Sequence, residues 1–219
     1  MFHAINSEAV NADDNNHHFK ARQEIVLPIF FRYFFAKVKR SVYFLKMQKR
    51  KDIIETAERL FYNNGFHATS TDRICREAGV STRTLYRHFP SREQLTEAVM
   101  QARQQRFFDA LREPGDPHAV QMLFTVLGEW MEVYGTGGCF FLKVWGEYAQ
   151  ESARLSALAL DFRYQLRAYI NACVQDAALA DAIWMLFEGA ITSALIVGAQ
   201  AAQRAGEAAA LLMARQEAP

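Results

Sequence analysis

The chain has 219 residues, of which 51% are hydrophobic and 22% charged, with 11 Gly and 5 Pro. That balance excludes a largely disordered polypeptide and a scaffold held together only by disulfides or metal. The net charge is +1, yet residues 1–95 hold 16 Lys/Arg against 10 Asp/Glu, while residues 96–219 hold 9 against 14. A basic front suited to a polyanion therefore precedes an acidic remainder.

Residues 1–20 are polar and are expected to be disordered. Asp13, Asp14, His17 and His18 occupy the place where the apolar core of a secretory signal would begin. Residues 25–45 are aromatic and basic, with Arg32, Lys37, Lys39 and Arg40. This segment reads as a helix touching a membrane surface or nucleic acid, as a helix added to the body, or as sequence upstream of a start at Met47. The longest apolar run, Leu179–Val197, carries Asp181 and Glu188, so no transmembrane segment is expected. Cys75, Cys139 and Cys173 are widely spaced and include no CxxC pair, which points to a reducing, cytoplasmic setting.

From Lys49 the pattern is helical. Ile53, Ile54, Ala57, Leu60 and Phe61 share a face, and Asn63-Asn64-Gly65 ends that helix. Thr69-Ser70-Thr71-Asp72 opens a second helix in capping-box style. Ala78-Gly79-Val80 forms a turn, and a third short helix starts at Ser81 or Thr82 and reaches about Arg87. Ser91-Arg92-Glu93-Gln94 opens a fourth, which runs to about Leu111 before the break at Glu113–Pro117. Further helices are expected near 117–134, 138–152, 154–175, 178–199 and 201–215. No strand-like alternation of useful length occurs, so the fold class is all-α.

Residues 71–88 form a helix-turn-helix pattern whose second helix fits a DNA major groove. Ser81, Thr82, Arg83 and Thr84 lead that helix, and Arg83 is suited to a guanine edge or a phosphate. Tyr86 and His88 follow on a surface placed to graze the backbone. Ser70 and Thr71, at the start of the preceding helix, and Arg92, at the start of the next, suit phosphate. Helix capping alone also accounts for Ser81 and Ser91, and a structural role beside Phe89 for His88.

The run from Ile54 to Leu95 resembles the amino-terminal domain of the TetR/AcrR family of bacterial transcriptional regulators. The matching positions include Ala57, Leu60, Phe61, Gly65, Thr69, Ser70, Ile74, Ala78 to Ser81, Thr84 to Tyr86, His88, Phe89 and Ser91 to Glu93. The resemblance covers about 45 residues and is looser beyond them, at Gly138–Leu142 with Gly146-Glu147, and at Leu186–Ile191. It implies a DNA-binding domain at 47–92 and a helical effector-binding and dimerisation domain at 93–219, and residues 1–46 depart from its pattern as an extra leader, partly disordered or upstream of the true start. It further implies a homodimer on a palindromic double-stranded DNA operator, most often a repressor released by a small apolar or aromatic effector. An activator, or an effector-independent chromosome-organising protein, is the alternative.

Phe124, Trp130, Met131, Phe140, Trp145, Tyr148, Phe162 and Tyr164 are the candidates to line an effector pocket, with core packing as the plainer role. Glu147 and Arg163 are candidate polar anchors there. Trp184, Gly189, Ala190, Ala194 and Gly198 are candidates for a dimer interface, since small residues let helices approach closely. His67 has no partner in any recognisable motif. No cofactor or metal site is expected, and no catalytic motif such as H-E-x-x-H or G-x-S-x-G occurs.

Overall fold

The computed structural model describes residues 44–217. The expectations for residues 1–20, and most of the 25–45 segment, lie outside them. The chain separates into two compact units, Met1–Gln48 and Lys49–Pro219. In the first, residues 44–48 are helical and exposed.

The fold is all-α. Residues 49–64 form α1, followed by α2 (Thr71–Glu77), α3 (Thr82–His88), α4 (Arg92–Asp109) and α5 (Ala119–Tyr134). Then come α6 (Phe140–Tyr148), α7 (Ala153–Cys173), α8 (Ala177–Val197) and α9 (Gln200–Glu217). Local chemistry sets the boundaries. The side chains of Ser70, Ser81 and Ser91 accept hydrogen bonds from the backbone N–H of Arg73, Thr84 and Gln94, satisfying donors that open α2, α3 and α4. Ser152 and Asp176 do the same for α7 and α8. Thr69 is not a cap: its hydroxyl donates back to the carbonyls of Gly65 and Leu60.

One apolar core runs through this unit. Phe66, in the α1–α2 turn, lies edge-on to Phe140 and Tyr148 of α6, so the three-helix head is fused to the body by aromatic packing. In the body, α8 packs on α7 and α9, and α5 on α9. Ala201, Ala202, Ala205 and Ala209 form the buried stripe of α9, and their small side chains bring its axis close to its neighbours. Helix α8 is long and apolar enough to cross a membrane by length and composition. Asp181 and Glu188 thus do not make this segment too polar by composition, as they were expected to. Its residues Ala180, Ile183, Phe187, Ala190 and Ala194 are nevertheless buried in the protein core.

Candidate nucleic-acid interface

The turn between α2 and α3 is fixed by its backbone. Gly79 has φ +63°, a conformation that side-chain-bearing residues rarely adopt. The N–H of Val80 donates to Cys75 O at 3.0 Å, folding α3 back across α2. Ile74, Cys75 and Leu85 are buried between the two helices. Burying Leu85 fixes the rotation of α3, and thereby the residues that face outward.

Those outward residues are Thr82, Arg83 and Tyr86, with Arg87 beside them. Tyr86 is 47% exposed. Ser81 is exposed as the cap, and its hydroxyl lies 3.0 Å from that of half-buried Thr84. Ser70 is exposed and Thr71 half-buried at the start of α2. His88 is half-buried beside the Phe89 ring, with centroids 6.2 Å apart. Arg92 is held inward: its guanidinium donates to Phe66 O and lies 4.8 Å from the Phe61 ring centroid. It acts as a strut between α4 and the α1–α2 turn. Arg59 and Arg73 both pair with Glu77, at 2.8 and 2.9 Å, which removes much of their charge from this face.

A clasp joins the head to α6. The Glu147 carboxylate accepts from the backbone N–H of Phe66 at 2.9 Å and of His67 at 2.8 Å. His67 Nδ1 lies 2.8 Å from the same carboxylate, and Nε2 lies 2.8 Å from Glu151. Two ring nitrogens facing two carboxylates are best served by the imidazolium, which donates from both. The hydrogen bond to Glu151, then that to Glu147, raises the His67 pKa above its ordinary value. Burial works against ionisation of Glu147, but the donors from His67 and Phe66 outweigh it and lower its pKa. Gly65 lets the carboxylate come close, since a Cβ there would lie 3.2 Å from Glu147 Oε1. Glu147 thus anchors the head and not a pocket, and His67 has partners 80 and 84 residues away that no local motif announces.

Below the head lies a small cavity of about 70 Å³. Trp130, Met131, Phe140 and Phe162 line it, as do Phe107, Phe141 and Phe187. Phe141 and Phe162 are stacked, 3.8 Å between centroids and 9° between planes. The other pocket candidates lie elsewhere. Phe124 is buried behind Phe187, and Tyr148 packs on Phe66 and His67. Trp145 and Tyr164 are 44% and 70% exposed, on the outer faces of α6 and α7. Arg163 pairs with Glu188, lies over the Trp184 ring and donates to Cys139 Sγ at 3.5 Å.

Among the interface candidates, Ala190 and Ala194 face the protein's own core, Gly189 is exposed, and Trp184 is half-buried under Arg163. Gly198 ends α8 with φ +72°. The outer face of α8 instead shows Met185, Leu195 and Ile196, the last 89% exposed.

The family described as bacterial regulatory proteins, tetR family, matches residues 53–99, which span α1 to α3 and the start of α4. The HTH-type transcriptional regulator UidR of Escherichia coli K12 is 40% identical over 65 residues, 30% of this chain and 33% of UidR. The HTH-type transcriptional activator FasR of Mycolicibacterium smegmatis is 33% identical over 66 residues, 30% of each chain. The matches thus span about a third of the curated relatives' own length. A TetR transcriptional regulator from Chloroflexus aurantiacus superposes with a TM-score of 0.62 at 25% identity, over 77% of this chain and 96% of that one. The helix-turn-helix head of this chain is thus similar in sequence to that of the tetR family of bacterial regulatory proteins, and its helical body is folded like that of the Chloroflexus aurantiacus regulator.

Proposed function

We propose that this protein is a sequence-specific DNA-binding transcriptional regulator that holds a two-fold operator as a homodimer and is released from it by an effector in the body. The observation that carries the reading is the rotation of α3. With Leu85 buried, Thr82, Arg83 and Tyr86 are turned together to solvent, where a major groove would receive them. Arg83 reads a base edge, Tyr86 meets phosphate, and Ser70, Thr71, Ser81, Thr84 and His88 flank them. Arg92 contributes by positioning the turn and not as a free phosphate arm. UidR is named a regulator and FasR an activator; for this chain we propose repression.

The outer face of α8 supplies the dimer surface. Met185, Gly189, Thr192 and Ile196 recur at helical intervals on one exposed stripe. An apolar stripe of this kind favours a second copy related by two-fold symmetry, which buries the same residues on both sides. The setting is the cytoplasm, at the nucleoid, and no catalysis is assigned.

The test is Arg83→Ala in the full chain, on sites recovered from the source genome. The expected result is a loss of about 1–3 kcal/mol on the preferred site with relaxed preference at one base pair. Equal weakening on all DNA would make Arg83 a phosphate contact. Unchanged affinity would remove α3 as the reading helix.

A further inference from the structure

The cavity beneath the head has an electrical asymmetry that narrows its ligand. Its walls are aromatic, with Phe107, Trp130, Phe140, Phe141, Phe162 and Phe187, yet Arg103 of α4 also lines it and is 7% exposed. The Arg103 guanidinium lies 4.7 Å from the Trp130 ring centroid, 4.8 Å from Tyr134 and 4.9 Å from Phe140. One carboxylate, Glu58 of α1, serves two guanidiniums: Oε1 accepts from Arg103 Nη1 and Oε2 from Arg106 Nη2, both at 2.5 Å. The cluster of Glu58, Arg103 and Arg106 therefore carries one positive charge in excess. Arg106 Nε is also buried with no hydrogen-bond partner among the described residues. Other polar capacity at the wall is committed, because the Tyr62 hydroxyl lies 2.8 Å from Gly135 O and 3.1 Å from Gly138 O.

We infer that the effector is an aromatic carboxylate, its ring among the cavity's aromatic side chains and its carboxylate on the Arg103 guanidinium. The inference rests on the effector-release reading above and specifies the ligand of that site. Arg103 shares its one carboxylate, Glu58, with the more exposed Arg106, and an arriving carboxylate supplies a second anion where water is scarce. Arg103 presents five N–H donors in a planar fork, so Nη1 can remain with Glu58 or turn to the ligand. Glu58 belongs to the head and Arg103 to α4, so a ligand that draws Arg103 toward the cavity competes with the ion pair joining them. Ligand binding and head position are thereby linked through a single guanidinium.

Calorimetric titration of the full chain with three matched probes tests this: naphthalene-2-carboxylate, naphthalene-2-carboxamide and 2-naphthylmethylammonium. The expected order places the carboxylate at least about tenfold tighter than the carboxamide, an increment in the range of a charge-assisted hydrogen bond, with the ammonium weakest. A carboxamide or ammonium that binds as well as the carboxylate overturns the anionic assignment while leaving an effector cavity in place. Absence of binding by all three, and by the corresponding biphenyl probes, overturns both. The unaltered chain suffices for this order, so no variant's folding enters. In Glu58→Gln the competing carboxylate is gone, and the carboxylate probe should bind several-fold tighter while the carboxamide is unchanged. A folded variant that leaves the carboxylate affinity unchanged contradicts the competition.

Discussion

Helices α3 and α8 are built alike and finished differently. Each buries one face, α3 through Leu85 and α8 through Ile183, Phe187, Ala190 and Ala194. Each leaves the other face to solvent. On α3 that face holds Thr82, Arg83 and Tyr86, which offer hydroxyls and a cation; on α8 it holds Met185, Leu195 and Ile196, which offer only apolar surface. The buried faces make the fold, and on the proposed function the outward faces choose the partner: a polyanion for one, a second apolar surface for the other.

Ile196→Glu is the most severe way to break this contrast. It places a carboxylate on the apolar face while disturbing nothing buried, because Ile196 is 89% exposed. Sedimentation should show wild type as a dimer and the variant as a monomer of unchanged helical content. A dimer of unaltered affinity would show that this face is not the interface. Leu85→Ala attacks the buried side of α3, where the side chain is 2% exposed. Losing it should cost about 2–5 kcal/mol, read by chemical denaturation, and the loss of DNA binding should follow unfolding of the head. Ser81→Ala sharpens the comparison more gently. The cap bond to Thr84 N is lost, for about 1 kcal/mol of stability, and Arg83 keeps its outward position.

The smallest expected effect concerns the clasp that holds the head on α6. Glu151 and Glu147 favour the imidazolium form of His67, and its pKa is raised on folding. The stabilisation is therefore complete below the ordinary histidine pKa of about 6.5 and fades as pH rises through the raised value. Solvent around His67 keeps the effect small. Wild type should exceed His67→Gln in Tm at pH 6 and match it at pH 9. A difference that grows with pH would reverse the assignment.

The head was legible because its determinants are local. Serine caps, a glycine turn and a buried leucine stand within about twenty residues of one another, and each acts on its immediate neighbours. The body was legible as helices but not as surfaces. Trp145 and Tyr164 have the composition of pocket residues, yet the rotation of α6 and α7 turns them outward, and Ala190 and Ala194 turn inward for the same reason. Arg92 matched a phosphate-binding position by spacing, but the carbonyl of Phe66, 26 residues earlier, holds it. Glu58 with Arg103, and His67 with Glu147, are joined across 45 and 80 residues, and the pairing arises only when the helices are packed.

The most direct test is a footprint of the full chain on fragments selected from its source genome, read at two salt concentrations. The expected result is protection of one or a few two-fold-symmetric sites. Half-site centres should lie about one helical turn apart, roughly 34–36 Å, or a multiple of it, with affinity on those sites well above that on flanking DNA at both salts. Diffuse protection without symmetry, collapsing as salt rises, would contradict the assignment of α3 as a sequence-reading helix.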